Sequence, residues 1–255
     1  MSYTIAVAGK GGTGKTTVAS LIIAHLLSKK NGSILAVDAD PNSTLNEALG
    51  IELSQTLGDV VADLLKNRDE LPTGIDKQRF IEYRFQMCLV EEKGYDLIAM
   101  GRPEGPDCYC YVNNMLRDIM DRFGSNYNFI VMDNEAGMEH LSRQTTQNVE
   151  SLLIISDESV IGIRTADRIH KMIIGLKLKI RDVYLVINRA QEVLPDAVVA
   201  EIEKTDMKLL GTIPIDKNII EFALAGKSIF SLPDDSPAKL AVNKLLSQIK
   251  DLPIQ

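Results

Sequence analysis

A glycine-rich loop near the N-terminus constrains the fold of this chain more than any other feature. The loop directly follows an apolar run at residues 3–7. Its spacing, G-x-x-x-x-G-K-[ST], is matched by Gly9, Gly14, Lys15 and Thr16. Backbone amides can converge on one anion only where a Cβ does not obstruct the turn, so the chemistry itself requires the glycines. The loop predicts a strand, a turn and a helix N-terminus that bind the phosphates of a nucleotide.

The same glycines also fit the G-x-G-x-x-G turn of dinucleotide-binding folds, with Asp38 as a candidate acid for the ribose. That turn offers only backbone amides to a pyrophosphate. Here Lys15, Thr16 and Thr17 supply a cation and two hydroxyls, which a nucleoside triphosphate with Mg²⁺ requires. The sequence therefore favours a phosphate-binding P-loop for ATP or ADP. The nucleotide contacts predicted in this loop are Gly11, Gly12, Thr13, Gly14, Lys15, Thr16 and Thr17.

Apolar segments of strand length recur along the chain, and helical patterns separate them. The further strands are predicted at residues 33–38, 95–100, 128–132, 151–155, 182–187 and 208–213. This alternation is typical of an α/β fold, a doubly wound and mostly parallel sheet with helices on both faces. We predict a single P-loop domain over residues 1–255, with an irregular insertion around residues 51–92.

Two acids stand at the ends of predicted strands. Asp38 ends the second strand, and Asp133 follows the apolar run at residues 128–132. Because the carboxyl ends of parallel strands meet at one edge, both acids should lie beside the P-loop. Asp133 has the position expected for the acid that holds magnesium opposite Thr16; a helix cap is the alternative. We therefore predict a Mg²⁺ site that involves Thr16, Asp38 and Asp133.

Composition limits the partners and the compartment. The chain has 28 basic and 35 acidic residues and a net charge of −7, which argues against nucleic acid as the main partner. No apolar run approaches the length of a membrane span, and the C-terminal pattern at residues 236–250 favours packing against the sheet. Three cysteines make no disulfide framework. We expect a cytoplasmic protein without a membrane span.

Lys10 departs from a plain P-loop, because Lys15 already reaches the phosphates. In this respect the chain resembles the deviant Walker A ATPases, the class that includes MinD, ParA, the nitrogenase iron protein and the Mrp-type cluster carriers. The resemblance implies an ATPase that forms a homodimer across two nucleotides, with Lys10 crossing to the phosphates of the partner. A solvated surface lysine is the alternative interpretation of Lys10.

The resemblance covers nearly the whole chain. Residues 38–41 resemble switch I, which implies that Asp40 positions or activates the attacking water, and residues 133–137 resemble switch II. The catalytic residues implied are thus Lys10, Lys15 and Asp40. Residues 186–189 and 211–216 resemble the segments that hold the adenine, which implies contacts to the base from Asn188, Arg189 and Pro214.

The segment Cys108-Tyr109-Cys110 is the main addition to this ATPase pattern. If it is extended, both sulfurs project from one face. Two thiolates cannot complete a tetrahedral Cys₄ site, but two chains supply four. We therefore predict that Cys108 and Cys110 of two chains share one soft metal. A pair of cysteines without a ligand is the alternative, and it is our interpretation of Cys88.

Residues 101–110 closely resemble the Cys-x-Cys segment of the CooC-type nickel-maturation ATPases for carbon monoxide dehydrogenase and acetyl-CoA synthase, and residues 136–141 resemble them as well. The resemblance implies nickel, or zinc, at an intersubunit Cys₄ site and a nickel enzyme as the client. Our leading hypothesis is an ATP-dependent metallochaperone. A MinD/ParA-like spatial-organising switch and an iron–sulfur redox ATPase remain open as alternatives.

Overall fold

A computed structural model of the chain describes residues 2–30, 32–66, 83, 85–102, 108–135, 149–176 and 178–254. The strands in these residues are β1 (Tyr3–Gly9), β2 (Ile34–Ala39), β3 (Val90–Glu92), β4 (Tyr95–Ala99), β5 (Phe129–Asn134), β6 (Val149–Ser156), β7 (Ile180–Ala190) and β8 (Lys208–Pro214). The helices are α1 (Lys15–Lys29), α2 (Leu45–Leu49), α3 (Leu57–Lys66), α4 (Cys108–Phe123), α5 (Val160–Gly175), α6 (Asp196–Ile202), α7 (Lys217–Ala225) and α8 (Pro237–Ser247).

The described strands form one sheet with the order β3-β4-β2-β5-β1-β6-β7-β8. Every pairing is parallel except that of β3 with β4, which is an antiparallel hairpin. The predicted doubly wound, mostly parallel fold is therefore confirmed. β1 lies between β5 and β6, where the order of the strands reverses, and such a switch point is where open α/β sheets bind ligands.

Apolar helices cover the sheet on both faces, which explains why its central strands are nearly continuous apolar runs. All residues of β1, β2 and β5 are buried. On one face, side chains of α1, α2 and α8 pack in a common core with the sheet. On the other face, side chains of α3, α4, α5 and α6 do the same. The packing of α1 and α5 beside β1 fixes the position of the loop between β1 and α1.

Described parts of the predicted insertion at residues 51–92 contribute to this architecture. Helix α3 buries Leu57, Val60 and Val61 in the core, and β3 extends the sheet at its edge. The sequence Val90-Glu91-Glu92 has no strand pattern of its own, so the hairpin was not predicted. Residues 67–82 and 84 of this segment lie outside the described residues, and the single-domain assignment stays a prediction.

The C-terminal helix α8 packs against α1 and β8. Ser236 caps its N-terminus by accepting the Lys239 N–H at 3.4 Å, and Val242, Leu245 and Leu246 are buried. The apolar side of the C-terminal pattern therefore faces the core. Among the described helices, none combines the length and the apolar character that crossing a membrane requires.

Candidate nucleotide site

The loop between β1 and α1 adopts a conformation that requires glycine at two points. Gly9 has φ +148°, and a Cβ there would lie 2.3 Å from the carbonyl oxygen of Ile155 in β6. Gly14 has φ +90° and precedes α1, and a Cβ there would lie 2.3 Å from Nδ2 of Asn188. The two glycines of the motif are thus needed both for the backbone turn and for the close approach of β6 and β7.

Side chains hold the carbonyl groups of this loop. Thr13 donates its hydroxyl to the carbonyl oxygen of Lys10 at 2.8 Å, and Asn188 donates its amide to the carbonyl oxygen of Thr13 at 2.8 Å. Arg189 donates from Nη1 to the carbonyl oxygen of Gly12 at 3.1 Å. Because the first N–H groups of α1 have no partner within the helix, the fixed loop and the helix dipole together form an anion site.

A β-bulge between β7 and β8 positions Arg189. The register passes from Asn188 opposite Ile213 to Ala190 opposite Pro214, so Arg189 is the extra residue, and its φ is +55°. Such a bulge redirects a side chain, here toward the P-loop. Asn188 is buried and supports the P-loop, a contact that the sequence did not predict. The contacts of Asn188, Arg189 and Pro214 with adenine stay predictions.

Asp38 lies beside the P-loop edge and organises the following turn. Its side chain is fully buried, and its two oxygens accept the N–H groups of Asp40 at 3.0 Å and Leu45 at 2.8 Å. Burial raises the pKa of this carboxyl to about 7, the Leu45 N–H opposes that increase, and the charge of the neighbouring Asp133 adds to it. Asp38 therefore holds the start of the predicted switch I in place.

Asp133 lies opposite Asp38 in the paired strands β5 and β2. It is 1% exposed, and neither of its carboxylate oxygens has a hydrogen-bond partner. Burial raises its pKa to about 6, although the nearby Thr16 and Lys15 side chains lower it. A buried carboxylate without partners is costly, and a divalent cation would satisfy it. Asp133 and the Thr16 hydroxyl thus fit a magnesium ion that also binds phosphates.

Thr44 was not predicted as part of this site, and Asn134, which belongs to the predicted switch II, makes a contact that the sequence did not predict. The Thr44 hydroxyl lies 3.2 Å from that of Thr16, and Asn134 donates its side-chain amide to the carbonyl oxygen of Val7 at 2.9 Å. Thr44 lies just after the predicted switch I and precedes α2, and this position in the sequence was the signal that could have indicated it. Asn134 connects the end of β5 to the strand that leads into the P-loop. Residues 136–148, with the rest of the predicted switch II, lie outside the described residues.

The two lysines of the loop occupy different environments. Lys15 is 8% exposed at the start of α1, where it affects the pKa of Asp133, whereas Lys10 is exposed. Asp40 is partly exposed in the turn after β2, and its Oδ1 accepts the backbone N–H of Asn42 at 2.9 Å. A lysine that binds the nucleotide of its own chain should be buried at the site, and one that reaches the nucleotide of the partner should be exposed. Lys15 and Lys10 meet these two conditions, and their roles stay predictions.

The backbone from Cys108 to Cys110 is helical, as the first turn of α4. Both sulfurs would project from one face only on an extended backbone, and that condition is not met. Their side chains and residues 103–107 lie outside what the structure describes. Among the side chains that it does describe, no group of three or more His, Cys, Asp or Glu is arranged for a metal ion. Cys88 is buried.

Comparison with known proteins identifies the family. Residues 4–229 match the CobQ/CobB/MinD/ParA nucleotide binding domain. An uncharacterized ATP-binding protein of Methanocaldococcus jannaschii is 44% identical over 247 residues, which cover 96% of this chain and 97% of the relative. The carbon monoxide dehydrogenase accessory protein CooC of Rhodospirillum rubrum is 29% identical over 250 residues, which cover 92% and 90% of the two chains.

A solved structure supports the same assignment at the level of the fold. The septum site-determining protein MinD of Pyrococcus horikoshii, complexed with Mg-ADP, has a TM-score of 0.71 at 20% identity and covers 99% of this chain and 97% of its own. The resemblance to the deviant Walker A ATPases, which Lys10 indicated, agrees with the P-loop geometry, the family match and this shared fold. The chain belongs to the CobQ/CobB/MinD/ParA nucleotide-binding family and is a P-loop ATPase.

Proposed function

We propose that this ATPase is a metallochaperone that dimerises on nucleotide and assists nickel insertion into the metal cluster of carbon monoxide dehydrogenase or acetyl-CoA synthase. The observation that carries the proposal is the Cys-x-Cys pair at Cys108 and Cys110, at the start of α4. The similarity to a carbon monoxide dehydrogenase accessory protein over nearly the full length of both chains supports the choice of client.

The position of α4 relates the cysteines to the nucleotide. β4 and β5 are both parallel to β2, so the helix between them runs back across the sheet and begins at the carboxyl edge. The P-loop, Asp38 and Asp133 lie at that edge. In a symmetric dimer that joins these edges, Cys108 and Cys110 of both chains come to one interface and supply four thiolates to a shared soft metal, nickel or zinc.

The ATPase residues have distinct roles in this proposal. Lys15 binds the outer phosphates from within its own chain, while Lys10, exposed on the loop, reaches the phosphates held by the partner. Asp40 positions the attacking water from the turn after β2. Thr16, Asp38 and Asp133 would hold Mg²⁺, which would supply positive charge to neutralise the phosphates. Closure of the dimer would thus require nucleotide in both chains.

Metal titration tests the proposal. Nickel and zinc are titrated anaerobically into the wild type, Cys108→Ser and Cys110→Ser, with Cys88→Ala as the control that removes a thiol elsewhere. We expect one metal per dimer in the wild type and the control, and none in the two serine variants. ATP binding by the monomer should persist in all four proteins. One metal per monomer, or equal affinity in Cys110→Ser, would refute an intersubunit site.

The same samples separate the two alternatives. An iron–sulfur redox ATPase would show visible absorption in the purified dimer and lose it in the serine variants. A MinD/ParA-like switch is consistent with the shared fold, but it needs a surface for its anchor. The amphipathic α8 cannot offer Val242, Leu245 and Leu246 to such an anchor without leaving the core. Colourless protein that binds nickel only through Cys108 and Cys110 favours the metallochaperone.

A further inference from the structure

A contact between two hydroxyls connects the P-loop to the turn that follows β2. The Thr16 hydroxyl, in the first turn of α1, lies 3.2 Å from the hydroxyl of Thr44, which precedes α2. A threonine at this position usually caps the helix by accepting one of its first N–H groups. The Thr44 side chain makes no such hydrogen bond to α2. Helix capping therefore does not account for Thr44, and its hydroxyl lies against the P-loop instead.

The backbone of the turn brings Thr44 to this place. Ser43 has φ +49°, a left-handed conformation that is disfavoured for residues other than glycine. The Ser43 N–H donates to the carbonyl oxygen of Asp40 at 3.0 Å. On the other side of Thr44, the Leu45 N–H donates to the buried carboxylate of Asp38 at 2.8 Å. Strained residues persist where the surrounding structure holds them, and they are common at functional sites. The turn thus fixes Thr44 beside the P-loop at a cost in backbone strain.

The same place holds an acid that lacks a partner. Asp133 is 1% exposed, and among the described residues neither of its carboxylate oxygens has a hydrogen-bond partner. The Thr16 side chain is close enough to lower the pKa of this acid. Thr16 thus has a carboxylate and a second hydroxyl as its neighbours. All three are oxygen donors, the ligand type that Mg²⁺ prefers, and a cation would satisfy the unpartnered carboxylate.

The separation of the two hydroxyl oxygens fits adjacent ligands of one magnesium ion. Mg²⁺ binds oxygens octahedrally at about 2.0–2.1 Å, which places adjacent ligand oxygens about 2.9 Å apart. The Thr16 and Thr44 oxygens are 3.2 Å apart, so a small side-chain rotation brings both to that spacing. A hydrogen bond between the hydroxyls has a similar length, and a measurement on the metal distinguishes the two.

We propose that Thr44 is a further ligand of the magnesium ion, adjacent to Thr16. This inference rests on the magnesium site of the proposed function, but not on a nickel client or on Cys108 and Cys110. Asp40 lies in the turn that leads to Thr44, so a cation bound to both hydroxyls holds that turn against the P-loop. Thr44 is then the positioning residue that relates Asp40 to the metal.

Binding of Mn²⁺ tests the proposal, because manganese suits the same oxygen ligands as magnesium and has a paramagnetic resonance signal. Mn²⁺ is titrated into the full chain with ADP, for the wild type, Thr44→Val and Thr44→Ser. We expect Thr44→Val, which keeps the shape but lacks the hydroxyl, to bind Mn²⁺ about tenfold more weakly, and Thr44→Ser to retain the wild-type affinity. Thr165→Val is the control, because that hydroxyl donates to the carbonyl oxygen of Ile161 at 2.9 Å within α5, on the opposite face of the sheet. Equal affinity in Thr44→Val and the wild type would overturn the proposal.

The number of water molecules on the bound Mn²⁺ distinguishes a metal ligand from a structural hydroxyl. Isotopically enriched water broadens the resonance in proportion to the waters that bind the metal. If Thr44 is a ligand, a water takes its place in Thr44→Val, so we expect one more bound water in that variant than in the wild type and Thr44→Ser. An unchanged number of waters would overturn the proposal even if the affinity falls, because the hydroxyl would then act only through the position of the turn.

Thr16→Val separates this inference from the magnesium site on which it rests. We expect this variant to weaken Mn²⁺ binding at least as much as Thr44→Val does. Weaker binding in Thr16→Val, together with wild-type affinity in Thr44→Val, would overturn the role of Thr44 and leave the magnesium site intact. Wild-type affinity in Thr16→Val would overturn both.

Discussion

Replacement of Asp38 by Asn should change how the stability of the ligand-free protein depends on pH. In the wild type, the folded-state pKa of Asp38 is about 7, compared with 3.8 in an unfolded chain. A group with a raised pKa contributes stability that is fully present below the unfolded pKa and is lost as pH rises through the folded pKa. Ionisation of Asp38 therefore destabilises the folded state between about pH 4 and pH 7.

The size of the effect follows from the two pKa values. A difference of about 3 units corresponds to about 4 kcal/mol over the whole window, of which about 3 kcal/mol falls between pH 5 and pH 8. Asparagine resembles the protonated acid in shape and does not titrate. It can still accept one of the two N–H groups, from Asp40 or Leu45, that the carboxylate accepts in the wild type.

Urea denaturation of both proteins at pH 5 and pH 8, without nucleotide or metal, measures the difference. We expect the free energy of unfolding of Asp38→Asn, relative to the wild type, to increase by about 3 kcal/mol between these pH values. Distant carboxylates titrate alike in both proteins, whereas Asp133 is coupled to Asp38, so the comparison reports the titration of this pair. An identical pH dependence in the two proteins would show that the pKa of Asp38 is not raised.

Three further predictions concern the phosphate site. Lys10→Ala should retain ATP binding, hydrolyse ATP roughly 10³- to 10⁵-fold more slowly and no longer dimerise on nucleotide, whereas Lys15→Ala should weaken ATP binding itself. Normal turnover by Lys10→Ala would exclude a role of Lys10 at the nucleotide of the partner. Asp40→Asn should bind ATP and dimerise yet hydrolyse roughly 10²- to 10⁴-fold more slowly in a phosphate-release assay, and failure to bind nucleotide would assign Asp40 a structural role instead. Gly14→Ala should lower the free energy of unfolding by about 2–3 kcal/mol in urea, because it adds strain at a positive φ and displaces Asn188, and wild-type stability would contradict the loop geometry.

The sequence predicted those parts of the fold that have a local signal. The parallel strands are apolar runs with helices between them, so their number and order along the chain were visible, and the carboxyl ends that carry Asp38 and Asp133 could be placed at one edge. β3 could not be predicted, because a three-residue strand with two glutamates is defined only by its pairing with β4.

The candidate site also contains contacts that local sequence patterns could not predict. Asn188 contacts the P-loop carbonyl of Thr13 across 175 positions in sequence, a contact that exists only once β7 has been placed beside β6. The helical start of α4 was not predicted, although the sequence contains a signal for it. Val112 and Met115 begin an apolar spacing typical of a helix, but only the Cys-x-Cys pattern of this segment was interpreted. Local pattern predicted metal binding at Cys108 and Cys110, which stays a prediction, but it did not predict the helical backbone that carries them.

The coupling between nucleotide and metal is the most direct test of the proposed shared interface. The dissociation constant for nickel is measured anaerobically with ADP and with a non-hydrolysable ATP analogue, on the wild type and on Lys10→Ala. We expect a difference of roughly 5- to 150-fold between the two nucleotides in the wild type, and its loss in Lys10→Ala, because in the proposed dimer the cysteines and the phosphates share one interface. Equal nickel affinity with both nucleotides in the wild type would show that the metal site and the nucleotide site are not coupled.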